Sequence, residues 1–174
     1  MAIALLLGTA AAAAGFLVSS AFGFILAFHG PHDPAVRFLV TRHVLYAIPT
    51  LILSLFSQSM VLFYFIGTGR LVKDEIAALP EARRLPILRA LRRFKAKTSP
   101  PATFAMVAGI ATFVLGGWVH TAPPGVRPVA RLVHLGASVL AVVLHLWALL
   151  AEYPVFVENT RLMEDPAAYG ERAG

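Results

Sequence analysis

The segment 2–28, AIALLLGTAAAAAGFLVSSAFGFILAF, decides the fold class because it contains no charged residue. A helix needs about 20 mostly apolar residues to cross the hydrocarbon core of a bilayer. Three further stretches meet that condition, at about 41–67, 102–119 and 132–151. The sequence therefore predicts an all-α, polytopic four-helix transmembrane bundle with an up-down-up-down arrangement, and a single integral membrane domain over 1–174.

The composition agrees with a membrane protein. Hydrophobic residues make up 58% of the chain and charged residues 14%, against about 25% charged in an ordinary soluble domain. A disordered chain is thereby excluded and a soluble enzyme is disfavoured. The chain has no cysteine, which excludes disulfides, thiolate zinc sites, iron–sulfur clusters and covalent c-type haem. Histidine, carboxylate, hydroxyl and amide groups remain for chemistry.

The basic residues predict the orientation of the bundle. Nine of the 15 Lys and Arg residues lie between Arg70 and Lys97, and positively charged loops stay in the cytoplasm. We therefore expect a cytoplasmic basic loop over 70–101, cut into short pieces by its prolines, with both termini and the tail 154–174 also cytoplasmic. The predicted location is the inner membrane. The first basic residue is Arg37, so segment 2–28 lacks the positive start of a signal peptide and is expected to be retained.

Small residues mark where helices can approach each other closely in lipid. On the first helix such a seam is predicted at Gly8, Ala11, Ala12 and Gly15. On the third helix it is predicted at Gly109, Gly116 and Gly117.

Four histidines are expected near the outer face, one from each helix: His29, His43, His120 and His134. His29 and His43 are 14 residues apart, as are His120 and His134, and a shift of 91 residues superposes the two pairs. This pattern suggests a tandem hairpin duplication with an approximate two-fold axis along the membrane normal. Few other identities match across the two halves, so coincidence is the alternative.

Histidines at equal depth on facing helices predict haem b near the outer face. Neutral imidazole is the common nitrogen ligand of haem iron, and helices two and four are diagonal across an up-down-up-down bundle. We therefore expect His43 and His134 as axial ligands, with His29 and His120 as a second pair or as partners of the first. The arginines expected to hold the haem propionates are Arg37, Arg42, Arg127 and Arg131, although contact with lipid headgroups would explain each of them equally well.

The predicted function is a membrane electron-transfer subunit within a larger redox complex. Its expected partners are the lipid bilayer, other membrane subunits or a periplasmic redox protein, and quinone, with no nucleic acid. One alternative is a non-catalytic accessory or scaffold subunit of a membrane complex. The other is an outer-face copper or zinc binding protein that uses His29, His32 and Asp33.

Two interior residues stand apart from this layer. His145 lies 11 residues after His134, about three turns deeper on the same face. A hydrogen bond to Ser54 or Gln58 is the simplest expectation, and a single axial ligand or one wall of a quinone pocket is the alternative. Glu152 is expected to mark the inner membrane boundary. Since no other acidic residue lies in the predicted spans, ion transport is disfavoured.

Overall fold

A computed structural model describes residues 2–29 and 33–173, and the description of side chains ends at residue 170. The helices are α1 (Ala2–Ala27), α2 (Ala35–Glu75), α3 (Glu81–Thr121), α4 (Arg127–Glu164) and α5 (Pro166–Ala173), with a single 3-10 turn at Ile76–Ala78. No strand occurs in these ranges. Helices α1 to α4 are long and apolar enough to cross a membrane, which confirms an all-helical protein with four candidate membrane spans.

Helices α2, α3 and α4 are longer than the predicted spans. They contain 41, 41 and 38 residues, which corresponds to about 60 Å at roughly 1.5 Å per residue, twice the thickness of a hydrocarbon core. The prolines of region 70–101 were expected to cut it into short pieces, and this expectation is wrong. Its residues continue α2, form one short turn, and then build the first half of α3.

Pro86, Pro100 and Pro101 lie inside α3. An interior proline removes one backbone hydrogen bond and costs about 3 kcal/mol. Burial of the apolar face of α3 offsets that cost, because Ile87, Leu91 and Phe94 are all buried and belong to the largest apolar cluster of the protein. Tertiary packing, rather than local preference, therefore keeps α3 continuous.

The four long helices pack in a ring, in which α1 and α3 each contact both α2 and α4. Along α1, Gly8 faces Ser57 of α2 and Gly15 faces Thr50, so these two helices run antiparallel. Helices α3 and α4 are also antiparallel: the Thr112 hydroxyl donates to the Ala137 carbonyl, and Gly116 faces His134.

The apolar core is uneven along the bundle. We call the end with the α1–α2 and α3–α4 connections the histidine end, and the end with the basic segment 70–97 the basic end. The large cluster, which includes Phe65, Phe94 and Phe156, fills the half near the basic end. A small cluster of Phe16, Ala108 and Ala141 lies further along. The histidine end is less filled, and this leaves room for a cavity.

Helix α5 packs against α3 at the basic end. The Tyr169 hydroxyl donates to Glu158 Oε1 over 2.7 Å, and Arg93 forms an ion pair with the same carboxylate. Burial, and then the hydrogen bond to Glu158, raise the pKa of Tyr169 to about 12. These polar contacts connect α5 to α3 and α4.

The predicted small-residue seams are partly confirmed. A Cβ atom on Gly8 or Gly15 would come within 2.6 Å and 2.3 Å of the side chains of Ser57 and Thr50, so α1 and α2 approach closely there. Ala12 is also buried, whereas Ala11 is exposed. On α3, Gly109 faces Leu51 and Phe16, and Gly116 faces the His134 ring. Gly117 has open space around it, so its assignment to a seam was wrong.

Candidate functional site

A cavity of about 590 Å³ opens between the four long helices at the histidine end. This volume is within the range of about 300–1,000 Å³ that is usual for small-molecule sites. Apolar side chains form most of the wall, with Phe16, Leu51 and Phe113 among them. The histidines that line it are His29, His43, His120 and His134. The structure thus brings the four sequence-predicted histidines to one cavity.

His43 of α2 is held by the backbone of α1. Its Nδ1 lies 2.9 Å from the carbonyl oxygen of Ser19. Because a carbonyl oxygen can only accept a hydrogen bond, Nδ1 carries the proton. Nε2 then keeps its lone pair and is the nitrogen available as a ligand. A backbone carbonyl that fixes the tautomer in this way is typical of metal-ligating histidines.

His134 of α4 repeats this arrangement against α3. Its Nδ1 lies 3.1 Å from the carbonyl oxygen of Thr112, so Nδ1–H donates and Nε2 is again the free nitrogen. Each of the two histidines is therefore oriented by the helix that precedes its own in the chain.

The two rings lie opposite each other across the bundle, with centroids 6.0 Å apart and planes at 83°. One metal ion between two imidazoles sets a similar distance. A nitrogen ligand lies about 2.0–2.1 Å from its metal, and a five-membered ring with bonds of about 1.35 Å places each nitrogen about 1.1 Å from the ring centre. Two collinear ligands would thus have centroids about 6.3 Å apart. A centroid separation of 6.0 Å is thus compatible with two imidazoles on one metal ion.

A glycine makes room for each imidazole. A Cβ atom on Gly23 would lie 3.2 Å from Cε1 of His43, and one on Gly116 would lie 3.1 Å from Cε1 of His134. Each glycine is four residues after the residue whose carbonyl accepts the hydrogen bond, Ser19 in one case and Thr112 in the other. Each of the two histidines is thus supported by one backbone carbonyl and one glycine of the preceding helix.

His29 and His120 lie at the rim of the cavity. His29 Nδ1 is 2.8 Å from the carbonyl oxygen of Ile25 in its own helix, and its Nε2 is 3.8 Å from Asp33. His120 is exposed. Their surroundings thus differ from the backbone support that His43 and His134 receive from a neighbouring helix.

The predicted arginines separate into two groups. Arg127 and Arg131 line the cavity, and Arg127 also donates to the Ala122 carbonyl over 3.2 Å. Arg37 is exposed, and Arg42 lies over the Phe38 ring, 5.0 Å from its centroid. Only the two α4 arginines therefore have their side chains at the cavity.

Helical phase explains this division. Arg131 and Arg127 precede His134 by three and seven residues, which places all three on one helical face. Arg42 and Arg37 precede His43 by one and six residues, and these spacings lead to other faces. The signal that separates the arginines was thus present in the sequence.

Within residues 2–29 and 33–173, no group of three or more His, Cys, Asp or Glu side chains is arranged to hold a metal ion. The predicted copper or zinc set of His29, His32 and Asp33 lies partly outside this range, because His32 is not among the described residues. The 3.8 Å approach of His29 to Asp33 is the described contact within that set.

His145 forms the hydrogen bond to Ser54 that the sequence predicted. The Ser54 hydroxyl is 2.6 Å from Nε2, and Nδ1 is 2.7 Å from the Ala141 carbonyl in its own helix. The carbonyl accepts from Nδ1–H, so the Ser54 hydroxyl donates to Nε2. Both ring nitrogens are occupied, and His145 has no free lone pair for a metal.

Sequence reasoning missed the carbonyl groups of Ser19 and Thr112, since every residue of a helix carries a carbonyl and only packing selects two of them. The place of Glu152 at the membrane boundary stays a prediction, but the burial of its side chain was not foreseen. In the structure the Glu152 side chain is fully buried. Its spacing of seven residues from His145 indicates a shared interior face and could have revealed this position.

Comparisons with protein-family models, with curated proteins and with solved structures find no match to this chain.

Proposed function

We propose that this protein is a membrane electron-transfer subunit that binds one haem b between α2 and α4. The Nε2 atoms of His43 and His134 would be the axial ligands. The observation that carries the proposal is the ring pair itself, with centroids 6.0 Å apart and with both Nδ1 atoms directed to backbone carbonyls. Two neutral imidazoles that offer lone pairs from opposite helices match bis-histidine haem ligation.

Charge at the cavity supports the same cofactor. Haem propionates are anionic, and Arg127 and Arg131 line the cavity wall. The Nε atom of Arg127 is buried without a hydrogen-bond partner, so this guanidinium has a donor left for a carboxylate. We assign the propionates to these two arginines. Arg37 and Arg42 are better explained by contacts at the protein surface.

The charge distribution supports an orientation in which the basic end and both termini face the cytoplasm. The haem would then lie near the outer face of the inner membrane. Electrons would pass to or from a periplasmic redox protein, quinone or another membrane subunit in a larger complex. Each ring pairs with a carbonyl and a glycine of the preceding helix, but these partners are related by a shift of 93 residues and the histidines by 91, so the duplicated hairpin stays a prediction.

A reduced-minus-oxidised visible spectrum of the purified protein tests the proposal. We expect a b-type α-band and one haem per chain. His43→Ala and His134→Ala should each abolish the band, because each removes one axial ligand. His32→Ala is the matched control, since His32 is not among the proposed ligands, and this variant should keep the band.

The spectrum also distinguishes the alternatives. An accessory or scaffold subunit predicts no band after haem supplementation, together with partner proteins that copurify in stoichiometric amounts. A copper or zinc protein predicts tightly held metal in haem-free protein and loss of that metal in His29→Ala. Either result would overturn the haem proposal.

A further inference from the structure

A column of buried polar side chains continues from the cavity toward the basic end, along the facing sides of α2 and α4. The column consists of Ser54, Gln58, Tyr64 and Thr68 on α2 and His145, Glu152 and Asn159 on α4. The side chains of Ser54, Gln58, His145, Glu152 and Asn159 are almost fully buried. Burial of so many polar groups is costly in a membrane protein, and such groups usually serve a function.

Regular spacing places the α4 members on one face. His145, Glu152 and Asn159 follow each other at intervals of seven residues, which is about two helical turns or roughly 10 Å. On the opposite helix, Ser54 is bonded to His145 and Thr68 lies 3.4 Å from Asn159. Both pairs are 91 residues apart in the chain, so α2 and α4 keep one register along the column.

Glu152 is the ionisable carboxyl group of the column. It is fully buried, and the Thr9 hydroxyl of α1 donates to its Oε2 over 3.2 Å. Its other oxygen, Oε1, has no hydrogen-bond partner. A buried carboxylate without a positive partner is strongly unfavourable, so the neutral acid is the expected form.

Within residues 2–29 and 33–170, no Lys, Arg or His side chain forms an ion pair with Glu152. α1 contains no charged residue and contributes the Thr9 hydroxyl. The antiparallel register of α3 and α4, set by Thr112 with Ala137 and by Arg93 with Glu158, places Lys97 and Thr98 at the level of Glu152. Lys97 is exposed, and Thr98 is buried with its hydroxyl donating to the Phe94 carbonyl. The titratable neighbours along the column are His145 on α4 and Tyr64 on α2.

Gln58 lies between Glu152 and the Ser54–His145 pair. The 91-residue register places Gln58 at a level between His145 and Glu152 of α4. Along the helix axis this level is about 4.5 Å from Glu152. Both its amide nitrogen and its amide oxygen are buried without hydrogen-bond partners. An amide with a free donor and a free acceptor can connect hydrogen-bonded groups on either side of it.

From this arrangement we infer that Glu152 is a proton-binding site in the bundle interior, which exchanges protons with the Ser54–His145 pair past Gln58. Only protons move: the O–H bond of the Glu152 carboxyl breaks as the Gln58 amide oxygen gains that proton, and the Gln58 amide nitrogen releases one to Ser54 Oγ. The proton of Ser54 passes to Nε2 of His145, and the reverse transfers restore the amide and the acid. The step requires no oxidant, reductant or bound haem, so it stands apart from the proposed cofactor.

Labelling with dicyclohexylcarbodiimide, which reacts with protonated carboxyl groups in lipid, tests the inference. In phospholipid vesicles we expect modification of Glu152, slower at higher pH and unchanged by Na⁺, with complete loss in Glu152→Gln. Glu158→Gln is the matched control, because Glu158 is a partly exposed carboxylate paired with Arg93. In this variant, Glu152 should be labelled as in the wild type. No modification of the wild-type chain, or protection by Na⁺, would overturn the inference.

Infrared spectroscopy gives a second readout that does not depend on labelling. The carbonyl stretch of a protonated carboxyl group should be present in the wild-type protein, shift in D₂O and disappear in Glu152→Gln. Gln58→Leu should keep the band but slow its exchange in D₂O by about tenfold, equivalent to the loss of one hydrogen-bonded connection. If the band survives in Glu152→Gln, or if Gln58→Leu exchanges at the wild-type rate, the inferred site or its route is wrong. Helix content by circular dichroism confirms that each variant is folded.

Discussion

Gly15→Ala tests the close packing of α1 against α2. A Cβ atom at position 15 would lie 2.3 Å from Oγ1, 2.8 Å from Cγ2 and 3.1 Å from Cβ of Thr50, whereas carbon atoms pack best at about 3.5–4.0 Å. A new rotamer of Thr50 cannot relieve the contact, since its Cβ does not move with that rotation. The two helices must therefore separate locally by about 0.5 Å.

The expected loss of stability follows from two opposing effects. Overpacking of this kind costs about 1–3 kcal/mol, and replacement of glycine by alanine inside a helix returns about 1 kcal/mol. We expect Gly15→Ala to lower the free energy of unfolding by about 0–2 kcal/mol. Gly67→Ala is the matched control, because nothing lies within 4 Å of a Cβ atom at that position, and it should be neutral or stabilising by up to about 1 kcal/mol.

Unfolding of the detergent-solubilised protein by added SDS, followed by far-UV circular dichroism, measures both variants. The double variant Gly15→Ala/Thr50→Ala removes the two closest atoms, Oγ1 and Cγ2, and should recover stability relative to Gly15→Ala with a coupling of about 1 kcal/mol. Equal stability of Gly15→Ala and Gly67→Ala would refute the packing argument. An additive double variant would show that Thr50 is not the contact responsible.

Three further predictions concern separate parts of the molecule. Ser54→Ala leaves Nε2 of buried His145 without the hydroxyl 2.6 Å away and should lower the free energy of unfolding by about 1 kcal/mol; unchanged stability would show that the hydrogen bond contributes nothing. Gly23→Leu should displace His43, since even a Cβ atom there would lie 3.2 Å from the ring, and a full haem α-band in this variant would contradict the proposed ligand position. The pKa of Tyr169 is raised to about 12 by burial and a carboxylate hydrogen bond, and the unfolded phenol loses its proton near pH 10. The stability that its neutral form contributes is therefore complete below pH 10 and is lost as the pH rises to about 12; identical unfolding profiles of Tyr169→Phe and the wild type across that range would refute this.

Helical spacing in the sequence predicts one part of the site and leaves another part open. Equal depth brought His43 and His134 together as predicted, and the spacing of Arg127 and Arg131 relative to His134 contained the information that they share its face. No spacing could identify which carbonyl oxygen receives each Nδ1–H, because that choice depends on how two helices rotate and slide against each other. The sequence therefore predicted the histidines, and the packing supplied their orientation.

In region 70–101, the sequence prediction of short, broken pieces was wrong. Its prolines and charges favour a broken loop when only local preference is considered, yet α3 passes through three of them. The decisive factor is the apolar face of α3, whose residues Ile87, Leu91 and Phe94 are buried against the other helices. That stabilisation appears only when the partner helices are in place.

By itself the sequence determined the all-helical class and the number of apolar helices, because about 20 apolar residues in a row have no other stable arrangement in a bilayer. It also determined that the histidines of four helices would lie near one end. Only the tertiary structure decided which side chains face the bundle interior, both at the histidine end and further toward the basic end. A fully buried Glu152 and two imidazoles with centroids 6.0 Å apart result from the rotation of each helix about its own axis, which depends on contacts between residues far apart in the chain.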